Sequence, residues 1–161
     1  MKHIRHYFCT ALLGTAVLTA CSGAEKVKSN TPVQITMWNY YNGAQKEEMD
    51  RLVQEFNDTV GLEQKIVVES VSKGSVSELE DAVRDSTDGK TGSDPLPDFC
   101  SAYADAAYDL WKKDKISDFR PYLTDEEYDS YISGYLEEGN FGTNAAMMIF
   151  PVAKSTEVLT I

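Results

Sequence analysis

Three times in succession the sequence passes from a β-branched, aromatic run into an amphipathic helical pattern. VQITMWNY (33–40) leads into NGAQKEEMDRLVQEFND, where Asn42 and Gln45 stand at capping-box spacing. Met49, Leu52, Val53 and Phe56 then recur at i, i+3, i+4 and i+7, the stripe of a helix with one buried face. QKIVVESV (64–71) is followed by a second capping box, Ser75 with Glu78, and by Val76, Leu79 and Val83 at inward positions. After the loop DSTDGKTGSDPLP (85–97), PDFCSAY (97–103) leads into DAAYDLWKK, with Asp105 near the start and Lys112 and Lys113 at the end, matching the helix dipole. Such alternation predicts parallel strands joined by right-handed crossovers, with helices on both faces of the sheet. The fold class is therefore α/β, a three-layer lobe built on a parallel sheet.

Beyond the third helix, Thr124 and Glu127 form another capping box. The helix they open is predicted to place Tyr128, Tyr131, Ile132, Tyr135 and Leu136 on one face. NFGTN then turns into an apolar run, Met147 to Phe150, which reads as a buried closing strand. Past Pro151 a polar cluster, Lys154-Ser155-Thr156-Glu157, interrupts before Val158 and Leu159 resume the apolar pattern.

The other end is organised differently. Lys2 and Arg5 precede a short apolar stretch and a small-residue zone, the layout of a secretory leader over residues 1–20. The apolar run is shorter than the roughly 20 residues a bilayer-spanning helix needs. Leu18-Thr19-Ala20-Cys21 resembles the bacterial lipobox, which implies a lipid anchor at Cys21 on the outer face of the cytoplasmic membrane. Residues 21–32 then form a flexible tether, and 33–161 the folded part. With Cys9 in the leader and Cys21 lipidated, Cys100 is left as a single thiol in an apolar run. No internal disulfide is expected, and the fold must be held by its core.

Composition removes most functional classes. The leader takes two of the 15 basic residues and none of the 26 acidic ones, leaving 13 against 26. A surface that acidic excludes nucleic acid as a partner. Both histidines, His3 and His6, lie in the leader, so the remainder has no imidazole for general-base catalysis, nucleophile activation or zinc ligation. Redox, dinucleotide and P-loop motifs are absent, and no cofactor or metal is expected. Glu47-Glu48 and Glu126-Glu127 fall on predicted helical surfaces rather than in a turn, which leaves a glycoside hydrolase without a placed carboxylate pair. The chain is expected not to be an enzyme.

In open α/β sheets, ligands bind beyond the carboxyl ends of the strands. The first strand-to-helix turn there reads WNYYNG. Trp38, Tyr40 and Tyr41 offer flat amphipathic faces to a sugar ring, and Asn42 with the helix start behind it adds donors. The third turn contributes Tyr103 and the carboxylate of Asp105. Each residue has an ordinary alternative, since Trp38 can end its strand inside the core and Asp105 can cap its helix.

These segments together resemble an extracellular solute-binding protein of a bacterial ABC importer, of the carbohydrate-binding family 1 type. ITMWNYYNGAQKEEMDRLVQEFN is similar to that family's opening strand and helix. LPDFCSAYADAAYDLWKKDKISDFRPYL is similar to its Pro-Asp strand, helix and following segment, and FPVAKSTEVL to the strand leaving the first lobe. The resemblance implies a type II periplasmic-binding-protein-like fold of two lobes, closing on ligand about a hinge. It also implies an ABC permease as partner and a sugar or oligosaccharide as ligand. Residues 147–161 would be the first inter-lobe crossing strand, with Lys154, Ser155, Thr156 and Glu157 on the cleft wall. Lys154 and Ser155 also leave a phosphorylated polyol open as ligand. On this reading the chain is an N-terminal fragment lacking its second lobe, with half a binding site. A small stand-alone surface lipoprotein is the competing reading.

Overall fold

The computed structural model describes residues 31–142 and 146–153. Strand β1 (Val33–Asn39) lies at the centre of a parallel three-stranded sheet. It is flanked by β2 (Ile66–Ser72) and β3 (Phe99–Cys100) in the order β2-β1-β3. Helices α1 (Gly43–Asp58) and α2 (Val60–Gln64) connect β1 to β2, α3 (Val76–Thr87) connects β2 to β3, and α4 (Ala104–Lys112) follows β3. A 3-10 turn (Arg120–Tyr122) and two short helices, α5 (Asp125–Asp129) and α6 (Ser133–Glu137), come after. The predicted α/β class is what forms.

The core sits on one face of the sheet. Trp38 is register partner to both Val71 and Cys100, and side chains paired across a parallel ladder point to the same face. Helix α3 lays Leu79 and Val83 on that face, where Trp38 and Leu79 are almost wholly buried. Tyr40, Val71, Ala82, Cys100 and Leu110 pack around them. The next register pair, Met37 with Phe99, points to the opposite face. There Phe99 stacks on Phe119 at 6.2 Å, and Phe150 meets Phe119 and Tyr131 edge-on.

Side chains finish what the strands leave undone. β3 has two residues instead of the predicted seven, and at its start Pro97 has no N–H to donate to a ladder. Beside it the Asp98 carboxylate, a side chain in place of a main-chain carbonyl, accepts from the Thr36 amide at 2.8 Å. On the outer edge of β2, the Asn57 carboxamide donates to the Val68 carbonyl at 2.9 Å and accepts from the Val68 amide at 2.8 Å. One side chain thereby occupies both main-chain groups that an incoming strand would need at that position.

Several local expectations are corrected. Asn42 does not cap α1 through its side chain; its amide donates instead to the Gly74 carbonyl at 3.1 Å. The α1 stripe is narrower than drawn, with Leu52 half exposed, and α2 was not foreseen. The capping box at Thr124 forms in full, and Ser75 caps α3 through its hydroxyl alone. The two hydroxyls accept from the Glu127 and Glu78 amides at 3.2 Å, but only Glu127 returns a bond to the backbone N–H of its cap residue.

The single helix expected after Thr124 is broken. The Ser130 hydroxyl bonds back to the Glu127 carbonyl, Ile132 is extended, and α6 restarts at Ser133. The common tyrosine face is lost with it: Ile132 and Tyr135 are exposed and Leu136 is buried. Met147 is buried as expected, but 147–150 is not a strand. Its main-chain bonds go elsewhere: Met147 binds the Asp118 carboxylate and the Phe119 amide, and Met148 donates to Gly139.

Candidate functional site

The carboxyl ends of all three strands open on one edge of the sheet, and the strand-to-helix turns there bring the tyrosines together. The Tyr40 and Tyr103 rings stack within 15° of parallel at 6.5 Å between centres, and the Tyr41 ring leans on Tyr40 at 5.1 Å. Tyr103 is half exposed, and Tyr40 and Tyr41 are partly covered. Partial burial, and then the neighbouring phenols of Tyr103 and Tyr41, hold the Tyr40 phenol above its usual value, so it stays a neutral donor at physiological pH. The cluster offers flat apolar faces and phenolic hydroxyls side by side, a chemistry suited to the C–H faces and hydroxyls of a polyol.

Trp38 does not join them. At 3% exposure it belongs to the core, and the ammonium of Lys73 sits 3.7 Å from the centre of its ring. Lys73 is held there by Asp94 at 3.0 Å. The rim expected from four rings is therefore made by three, because the last inward position of β1 falls under α3. Asp105 lies in the first turn of α4, where its carboxylate accepts from the Ala106 amide at 2.9 Å. It lines a groove of about 510 Å³ between α3 and α4, floored by Leu79, Cys100 and Leu110. No tyrosine of the cluster lines that groove. Burial raises the Cys100 thiol above its usual value, which keeps it protonated and unreactive. Lys154, Ser155, Thr156, Glu157 and Cys21 lie outside the described residues.

The residues that build the turn were not singled out in the sequence. Asn39 ends β1 with its side chain 2% exposed. Its amide donates to the Ser70 hydroxyl at 2.8 Å, and its carbonyl oxygen accepts from the Tyr41 amide at 3.0 Å. The Ser72 hydroxyl donates to the Tyr41 carbonyl at 2.5 Å and accepts from the Gly74 amide at 3.2 Å. Gly74, at φ +93°, makes the sharp turn into α3 that brings its carbonyl to Asn42. The usable signal was the alternation in Ser70-Val71-Ser72: two hydroxyls on one face of a strand, opposite an asparagine.

Comparison with known proteins bears on the fold. No protein-family profile and no curated protein matches the chain. Solved structures do. A Thermus thermophilus maltotriose binding protein, bound with maltotriose, superposes with a TM-score of 0.53 at 18% identity over 71% of this chain and 28% of its own. A protein solved with mannotriose bound gives 0.51 at 18% identity, over 68% of this chain and 26% of its own. The cyclic α-maltosyl-1,6-maltose binding protein of Arthrobacter globiformis gives 0.51 at 18% identity, over 66% and 25%. The chain thus has the fold of one lobe of these binding proteins, which are not enzymes, and spans about a quarter of their length.

Proposed function

We propose that this chain is the amino-terminal lobe of a carbohydrate-type solute receptor of an ABC importer. Its tyrosine rim would meet a sugar or oligosaccharide, a second lobe would close over it, and a permease would receive it. The observation that carries this reading is the stacked Tyr40–Tyr103 pair with Tyr41, at the carboxyl edge of a sheet whose fold recurs in three sugar-binding proteins. A half-site leaves most of the ligand wet, so affinity should be low. Titrating the labelled chain with maltotriose and mannotriose, followed by NMR, is expected to shift the Tyr40, Tyr41 and Tyr103 signals with a Kd on the order of 1 mM or weaker. Tyr103→Ala should remove the response while leaving the folded spectrum intact. Micromolar binding by this chain alone would defeat the half-site reading. No response from either sugar would defeat the sugar-rim reading.

The lipid anchor at Cys21 belongs to the same proposal and is supported by the lipobox-like Leu18-Thr19-Ala20-Cys21 and the polar stretch after it. Expressed in a bacterium with labelled palmitate, the chain should take up label and fractionate with membranes. Cys21→Ala should abolish both, and label retained by that variant would rule the anchor out.

A further inference from the structure

We infer that Asn39 is the positioning residue of the tyrosine rim: its buried carboxamide ties the main chain of the first turn to the end of β2 and so fixes where the Tyr40 and Tyr41 rings stand. The inference rests on the rim reading above, but its first test needs no ligand. Asn39 is the only polar residue among the buried ones described, and both ends of its amide are used. The acceptor end holds the Tyr41 amide, which has no strand partner because β1 stops at Asn39. The donor end is held by Ser70, one residue before the core position Val71. The Asn39 main chain joins in, since its carbonyl accepts the Lys73 amide at 2.8 Å.

Tyr41 is thus gripped at both main-chain groups, by Asn39 on its amide and by Ser72 on its carbonyl. A residue held at both peptide groups has its φ and ψ restricted, and with them the direction of its Cα–Cβ bond, from which the ring reaches Tyr40. Tyr40, between Asn39 and Tyr41, has little freedom left. Leucine would fill the volume of Asn39 but leave the Tyr41 amide and the Ser70 hydroxyl unpaired. Aspartate keeps the acceptor, and the Ser70 hydroxyl can turn to donate to its second oxygen.

Amide hydrogen exchange separates a positioning role from a general contribution to stability. In Asn39→Leu the Tyr41 amide should exchange at least about tenfold faster relative to the ladder amides of β1 and β2, and the Tyr40 and Tyr41 ring signals should shift or broaden. Asn39→Asp, measured well above the titration of its carboxylate, should restore most of the Tyr41 protection. Ser70→Ala is milder and should raise Tyr41 exchange several-fold in an intact fold, which keeps the test available if Asn39→Leu does not fold. Equal acceleration of Tyr41 and the ladder amides, or unmoved ring signals in the folded variants, would overturn the inference. A second arm repeats the maltotriose titration on Ser70→Ala, where a weakened response with Tyr103 still in place is expected and an unchanged one overturns it. If the unsubstituted chain gives no sugar response, the sugar reading fails while the exchange result still judges Asn39.

Discussion

Trp38→Ala should cost about 4 kcal/mol, in the range measured for truncating a buried aromatic ring. A domain of this size is stable by only about 5–15 kcal/mol, so most of the margin goes with it. The magnitude follows from position. At 3% exposure the indole fills the space between Val71, Cys100, Leu79 and Val83, and Lys73 covers its face. Removing it leaves a cavity walled by main chain on the sheet side, which cannot collapse inward, and frees an ammonium that is only 17% exposed. At a urea slope of roughly 2 kcal/mol/M the unfolding midpoint should fall by about 2 M. Trp38→Phe keeps an aromatic ring in the same place and should lose less than half as much. An alanine variant that unfolds near the parent midpoint would mean that Trp38 is not core, and the expectation of a fourth rim ring would return.

That result bears on how far the site could be read from the sequence. Tyrosines and tryptophan look alike there, as large flat residues clustered at a strand end. What separates them is where the strand pairing ends. Trp38 and Tyr40 both project to the α3 side of the sheet, but Trp38 has register partners on both flanks and Tyr40 lies beyond the last paired residue. The last fully flanked position is sealed and the first unflanked one reaches the edge. Strand ends are set by pairing between distant segments, and a strand with Pro97 at its start fixes its length only once Asp98 is seen taking the Thr36 amide.

The architecture was more legible because it rests on local signals repeated along the chain. Three strand-to-helix units, the Ser75 cap of α3 and the inward spacing of Leu79 and Val83 all point to the parallel sheet that forms. Signals that are local but contested misled. Asn42 has the right residue type and spacing for a cap, yet its side-chain amide donates to the Gly74 carbonyl, 32 residues away, and its Oδ1 accepts no amide of the helix. The pattern around Tyr128 to Leu136 has helical period, but Ser130 folds its hydroxyl back onto Glu127 and Tyr131 turns to Phe150. Of the run at 147–150 only Met147 is buried, Phe150 is exposed, and the main-chain hydrogen bonds of Met147 and Met148 are claimed by Asp118, Phe119 and Gly139. Apolarity does not fix which partner satisfies the backbone.

Gly61→Ala is the second substitution with a large expected effect, and its sign comes from two opposed terms. Alanine in place of a helical glycine ordinarily gains about 1 kcal/mol through helix propensity. At Gly61 a β-carbon would stand 2.6 Å from the Ile66 carbonyl oxygen and 3.0 Å from the Phe56 carbonyl oxygen. Both are main chain, and neither can swing away. Ile66 opens β2 in register with Val33, whose amide is bound to the Lys65 carbonyl at 2.8 Å. Lys65 itself is held at φ +57° as the cap of α2, so the connection between helix and strand has no slack. Relief requires α2 to lift from the sheet, an overpacking cost of about 3 kcal/mol that exceeds the propensity gain and leaves a net loss of about 2 kcal/mol. Gly134 is the control: it too lies within a helix, α6, but nothing stands within 4 Å of its would-be β-carbon. Gly134→Ala should therefore stabilise the chain by up to about 1 kcal/mol. Urea unfolding of the two variants beside the parent checks both signs. If both substitutions stabilise, the close seat of α2 on the start of β2 is wrong, and with it the reason this turn uses glycine.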